Sequence, residues 1–176
     1  LNEDVKLWGI GGFREDAYVR AGCAAEAGNR RVILPLAAWR QAAEEMDEEA
    51  LGKTGVFVAA GEGIRALLPF LAVVPVIALD FPVFGDGRSY STAVQLKQTY
   101  HYPGELRAVG DVLIDQVSNM LRCGFDTLEV RHSLTQARLA DYSRETFPGF
   151  YQPGASLVRA GSHRIWRPAS ARQSCQ

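Results

Sequence analysis

The chain has 176 residues, 47% of them hydrophobic and 22% charged, with 19 basic against 20 acidic side chains for a net charge of −1. That length suits one core burying roughly 70% of the unfolded surface and is short for two ordinary domains, while the composition excludes disordered and fibrous classes. A near-zero charge supplies no overall field toward nucleic acid or an anionic bilayer, so neither is an expected partner.

The chain starts Leu1-Asn2-Glu3-Asp4, without the basic region and apolar run of a signal peptide, and export is not expected. Val5–Ile10 and Phe13–Val19 are separated by Gly11 and Gly12, which predicts a hairpin because glycine tolerates positive φ; this hairpin is expected to cap one sheet edge. From Arg31 onward short β-branched runs alternate with amphipathic stretches. The expected strands are 32–35, 56–59, 76–79, 106–109 and 127–130. Between the first two, Trp39, Ala42 and Met46 mark the apolar side of a helical stretch, and Glu44, Glu45, Asp47, Glu48 and Glu49 its solvated face. Ala93, Leu96 and Tyr100 form one later helical stripe, and Leu113, Val117, Met120 and Leu121 another.

Runs such as Val76-Ile-Ala-Leu79 lack polar alternation and are expected to be covered on both faces. The fold class is therefore α/β: a mostly parallel five- or six-stranded sheet from repeated βα units, open or curled into a partial barrel, with an N-terminal hairpin. Right-handed crossovers would put every strand's carboxyl end on one edge. Residues 1–151 form the expected single domain, and 152–176 a tail carrying Arg159, Arg164, Arg167 and Arg172 without an acid. The longest apolar stretch, Ile64 to Leu79, is broken by Arg65, Pro69 and Pro75 and falls short of the ~20 residues of a membrane span.

Cys23, Cys123 and Cys175 are widely spaced, cannot all pair within one chain, and cannot supply the four thiolates of an iron–sulfur cluster. They suit a reducing compartment, so a cytoplasmic location is expected. His101, His132 and His163 show no ligand spacing, and no metal site is expected. The residues name no cofactor.

Ligands of parallel α/β sheets gather outside the carboxyl ends of the strands. That rule singles out Asp80, Asp111 and the Arg131-His132 pair. The loop Asp80 to Ser91 is the richest: Gly85 and Gly87 flank Asp86, a tight turn would present Asp86 and Arg88 together, and Ser89 or Ser91 could cap the next helix. A helix N-terminus beside an arginine suits an oxyanion; a plain Arg88 ion pair with Asp80 or Asp86 is the competing explanation. Asp111 follows Gly110 at an expected helix start, where capping is its simplest role. Asp115 and Gln116 lie one turn on, and Asp111 and Asp115 with Asp80 could approach a divalent cation. A separate motif, Gly61-x-Gly63-x-x-Ala66 after a strand, with Asp80 ending the next strand, matches a dinucleotide fingerprint in which Gly61 and Gly63 approach the pyrophosphate and Asp80 the ribose, although Pro69 interrupts the helix that should follow.

Ala78 to Pro82, Asp86 to Arg88 with Tyr90 and Ser91, Gly104 to Leu113, Asp115 with Gln116, and Arg122 to Asp126 together resemble a bacterial family known as domain of unknown function 934. Its members are typically encoded beside assimilatory sulfite reductase and often labelled probable oxidoreductases of sulfite reduction. The resemblance implies a role in sulfur assimilation and cysteine biosynthesis, with sulfite reductase as a possible partner. Two expectations follow. In one, the chain is an enzyme or ligand-binding protein: Asp80, Arg88, Tyr90, Ser91, Arg107, Asp115 and Gln116 hold a small oxyanion and Asp86 or Asp111 transfers a proton. In the other it is an accessory protein that serves sulfite reductase without chemistry of its own.

Overall fold

The computed structural model describes residues 5–23 and 30–142; the expected Arg-bearing tail, Cys175 and His163 lie outside them. The strands are β1 (Lys6–Gly9), β2 (Gly12–Arg14), β3 (Tyr18–Arg20), β4 (Arg31–Pro35), β5 (Thr54–Val58), β6 (Val76–Phe81), β7 (Glu105–Gly110) and β8 (Thr127–Val130). The helices are α1 (Leu36–Ala43), α2 (Glu48–Leu51), α3 (Arg88–Val94), α4 (Val117–Cys123) and α5 (Ser133–Ala140). All eight strands join one sheet in the order β2-β1-β8-β7-β6-β5-β4-β3. β1 pairs antiparallel with β2 and with β8, and the remaining ladders are parallel. The expected five or six strands are thus corrected to eight in a mixed, open and curled sheet.

From β3 to β8 the spatial order follows the chain order without reversal. Right-handed crossovers then place every connecting helix on the same face. That face carries the main core, with Trp39, Leu67, Leu96, Met120 and Leu128 fully buried, each apolar side chain of this kind contributing roughly 1.5–3 kcal/mol. The expected cover on both faces of residues 76–79 is present, all four being at most 1% exposed, but the connecting helices supply it on one face only. Along β6, Ile77, Leu79 and Phe81 enter the main core, whereas Val76 and Ala78 join a small cluster with Ile33, Val109, Tyr18 and Phe57 on the other side. β7 and β8 alternate in the same way, so Glu105, Arg107, Thr127 and Glu129 share that second face.

Curling makes the second face concave. Arg20 of β3 meets Glu129 of β8 at 2.8 Å, although five strand spacings in a flat sheet would put these strands ~24 Å apart. The hairpin forms at the β8 edge as expected, with Gly9 opposite Gly12. The expected strand Phe13–Val19 is corrected: it splits into β2 and β3 on opposite edges, because residues 15–17 cross the concave face and Asp16 is captured by Arg107 of β7 at 2.6 Å.

The acidic helical stretch is also two short pieces, broken before Asp47, whose carboxylate accepts the Ala50 N–H at 2.8 Å and caps α2. Among the described residues no helix is long and apolar enough to cross a membrane.

Candidate functional site at the carboxyl edge of the sheet

β6 delivers Asp80 to the concave face and its chain then turns through residues 82–87 into α3. Three tethers shape that loop. The Ser89 hydroxyl, buried in the first turn of α3, donates to the Asp80 carbonyl. The Asp86 N–H donates to the Val83 carbonyl at 3.0 Å. Gln116 is buried and donates from Nε2 to the Phe84 carbonyl at 3.0 Å while its Oε1 accepts the Leu113 N–H. Gln116 therefore braces the loop from below.

Asp86 and Arg88 come together. Arg88 donates from Nε to Asp86 Oδ1 at 2.9 Å and from its backbone N–H to the same oxygen at 3.1 Å. The Arg88 side chain remains 61% exposed, and its guanidinium lies so close over Gly61 that a Cβ there would come within 2.7 Å of Nη1. The Arg88 hydrogen bonds hold the Asp86 carboxyl down to about 2. Because the folded value is depressed, this pair adds stability above the ordinary Asp range, lost as pH falls through the window from 3.8 toward 2. A carbon-13 NMR titration should find Asp86 ionised down to about 2, and Arg88→Ala should return it to the usual Asp range; an Asp86 midpoint indifferent to Arg88→Ala would break the pairing.

Asp80 behaves oppositely: burial pushes its carboxyl up, and the Arg20 and Arg131 guanidiniums oppose that without cancelling it. Of the two carboxyls, Asp80 is therefore the one that holds its proton more readily, and Asp86 the one kept ionised. Asp80 is boxed in by Gly110 of β7, where a Cβ would stand 2.9 Å from its Oδ1.

Asp111 does not cap a helix. Gly110 takes a left-handed φ of 97°, the Asp111 N–H donates to the Phe81 carbonyl at 2.7 Å, and the Asp111 carboxylate meets His132 Nε2 at 2.9 Å. Asp111 and His132 thus form a part-exposed pair above adjacent strand ends. Asp115 is exposed in the 3₁₀ turn Ile114–Gln116. Tyr90 packs edge-on against Phe81 at 4.9 Å, and Ser91 is exposed on α3. Arg107 is brought elsewhere: its side chain, 2% exposed, is bound by Asp16 and Glu105 toward the amino ends of the strands. Among the described residues no three His, Cys, Asp or Glu side chains stand together as a metal site.

The glycine fingerprint sits in a different frame from the one a dinucleotide uses. Gly63 precedes the 3₁₀ turn Ile64–Phe70, which contains Pro69, so no α-helix N-terminus faces Gly61. The sequential strand order has no reversal point either, and that is where doubly wound sheets open their crevice. Gly61, at φ 84°, instead admits the Arg88 guanidinium.

Sequence reasoning missed Arg20 and Glu129. Glu129 accepts Arg20 at 2.8 Å and Arg131 at 3.4 Å, and the Arg20 guanidinium lies 5.3 Å from the Phe57 ring centre. The period-two pattern Thr127, Glu129, Arg131 was the available signal of a polar face on β8; Arg20 had none, since its partner lies 109 residues away.

Residues 55–160 match the family model described as bacterial protein of unknown function (DUF934). No curated protein and no solved structure matches.

Proposed function

Since the chain belongs to the DUF934 family, we propose that it serves assimilatory sulfite reduction, as an oxidoreductase or an accessory protein, and holds a small oxyanion at the carboxyl edge of its sheet. The observation that carries this reading is Arg88: an exposed guanidinium oriented by Asp86, beside the parallel strand ends that favour ligands. In the catalytic form, Asp80 is the proton-transfer group its raised carboxyl favours, and Asp111 with His132 is a second. Tyr90, Ser91, Asp115 and Gln116 surround the same loop and strand ends.

A non-catalytic partnership with sulfite reductase is favoured by Val83, 59% exposed, and Phe84, 52% exposed, on that loop. Large apolar side chains so placed suit a protein contact.

The test is complementation of a deletion strain grown on sulfite as sole sulfur source, with thermal-shift titrations of the purified chain. Arg88→Ala should abolish growth and weaken oxyanion stabilisation at least ~10-fold, about 1.4 kcal/mol, with an unchanged far-ultraviolet spectrum. Growth and binding both intact in the folded variant would overturn the oxyanion reading. Loss of growth without any oxyanion binding, with co-purification of the reductase lost in Phe84→Ala, would favour the partnership.

A further inference from the structure

Two charge clusters occupy the concave face, and they are built differently. Toward the amino ends, Arg107 is enclosed by Asp16 at 2.6 Å and Glu105 at 2.9 Å, and Glu105 also takes Arg14 at 3.2 Å and the Thr127 hydroxyl at 2.6 Å. Two arginines meet two carboxylates, and the central guanidinium is buried. This cluster is a closed structural lock.

Toward the carboxyl ends two guanidiniums again accompany two acids, but the guanidiniums are part-exposed. One carboxylate, Glu129, lies between two guanidiniums, Arg20 from one side of the curl and Arg131 from the other, whose side chains are 42% and 43% exposed while Glu129 is 10% exposed. Among the described residues no basic side chain pairs directly with Asp80, the second acid there. A guanidinium offers five N–H donors in a planar fork, so sharing one carboxylate leaves each arginine with capacity for a further acceptor.

We infer that Arg20 and Arg131 form an oxyanion-binding pair on the concave face. A small multivalent oxyanion, of the sulfite, sulfate or phosphate class, lies between the two guanidiniums beside Asp80. Glu129 holds the like charges together in the empty site and competes with the ligand for them. This assignment rests on the reading that this edge holds an oxyanion, and it adds an anchor on the sheet to the one on the Arg88 loop.

Isothermal titration with sodium sulfite, sulfate and phosphate, at one ionic strength because exposed charges are screened, separates the outcomes. Arg131→Gln and Arg20→Gln should each weaken binding at least ~10-fold, whereas Glu129→Gln should strengthen it several-fold by removing the competing carboxylate. An ion pair that served stability alone would give the opposite: Glu129→Gln less stable and no tighter. Preference among the three salts identifies the oxyanion. Should Arg20→Gln unfold, the Arg131→Gln and Glu129→Gln pair decides by the sign of its two effects. The inference falls if the wild-type chain binds none of the three at millimolar concentration, if both arginine variants bind within twofold of wild type, or if folded Glu129→Gln binds more weakly. Binding abolished by Arg88→Ala but kept by Arg20→Gln and Arg131→Gln sinks this inference and leaves the Arg88 reading standing.

Discussion

Arg107→Ala is expected to lower the unfolding free energy by about 3–5 kcal/mol, the usual cost of removing one partner from a buried ion pair. The residues say why: Asp16 and Glu105 would keep their negative charges without the guanidinium that lies 2.6 and 2.9 Å from them. The cation also stands 5.7 Å from the Tyr18 ring centre, within reach of a cation–π attraction that the alanine variant cannot make. In urea the midpoint should fall by roughly 2 M for an ordinary denaturant slope of about 2 kcal/mol per M. The damage should concentrate in β3, since Asp16 anchors the crossing that leads into it. Amide exchange at Tyr18 to Arg20 should therefore accelerate more than in β6. A midpoint shift under about 0.5 M would mean that the crossing is held by something other than this charge.

Gly110→Ala should be nearly as costly, about 2–4 kcal/mol, through backbone strain and overpacking together. Its φ of 97° is one that residues with a Cβ rarely adopt, and the added carbon would stand 2.4 Å from the Phe81 carbonyl oxygen and 2.9 Å from Asp80 Oδ1. Relief requires β7 to part from the end of β6, which breaks the Asp111 N–H bond to Phe81 and shifts the Asp111–His132 pair. Thermal unfolding measures the stability loss, and the His132 ring signals in NMR report the displaced pair. A variant within about 0.5 kcal/mol of wild type, the usual range of an innocuous surface substitution, with an unmoved His132 would contradict this backbone geometry.

Much of the frame was legible in the chain. The β-branched runs from Val32 to Val130 appear as β4 to β8 within a residue or two at most of their ends, and Gly11-Gly12 marked the hairpin, because strand and turn signals are local. The Asp86 and Arg88 pairing was legible for the same reason: the partners are two residues apart around a glycine-flanked turn. Arg107 was harder. Its position in β7 was clear, but its burial and its partner Asp16, 91 residues away, depend on where the chain crosses the sheet. Phe13 to Val19 looked like one strand because nothing local announces that residues 15–17 leave one edge for the other.

By itself the sequence determined the βα repeat, the strand positions, the hairpin and the clustering of Asp80, Asp86, Arg88 and Asp111 near strand ends, all consequences of periodicity and short-range geometry. Tertiary structure alone decided that the sheet curls, that its helices share one face, and that Arg20 and Arg131 meet over Glu129. The reason is physical: a pairing between distant strands depends on sheet order and curvature summed over every ladder between them, and no window of neighbouring residues contains that sum.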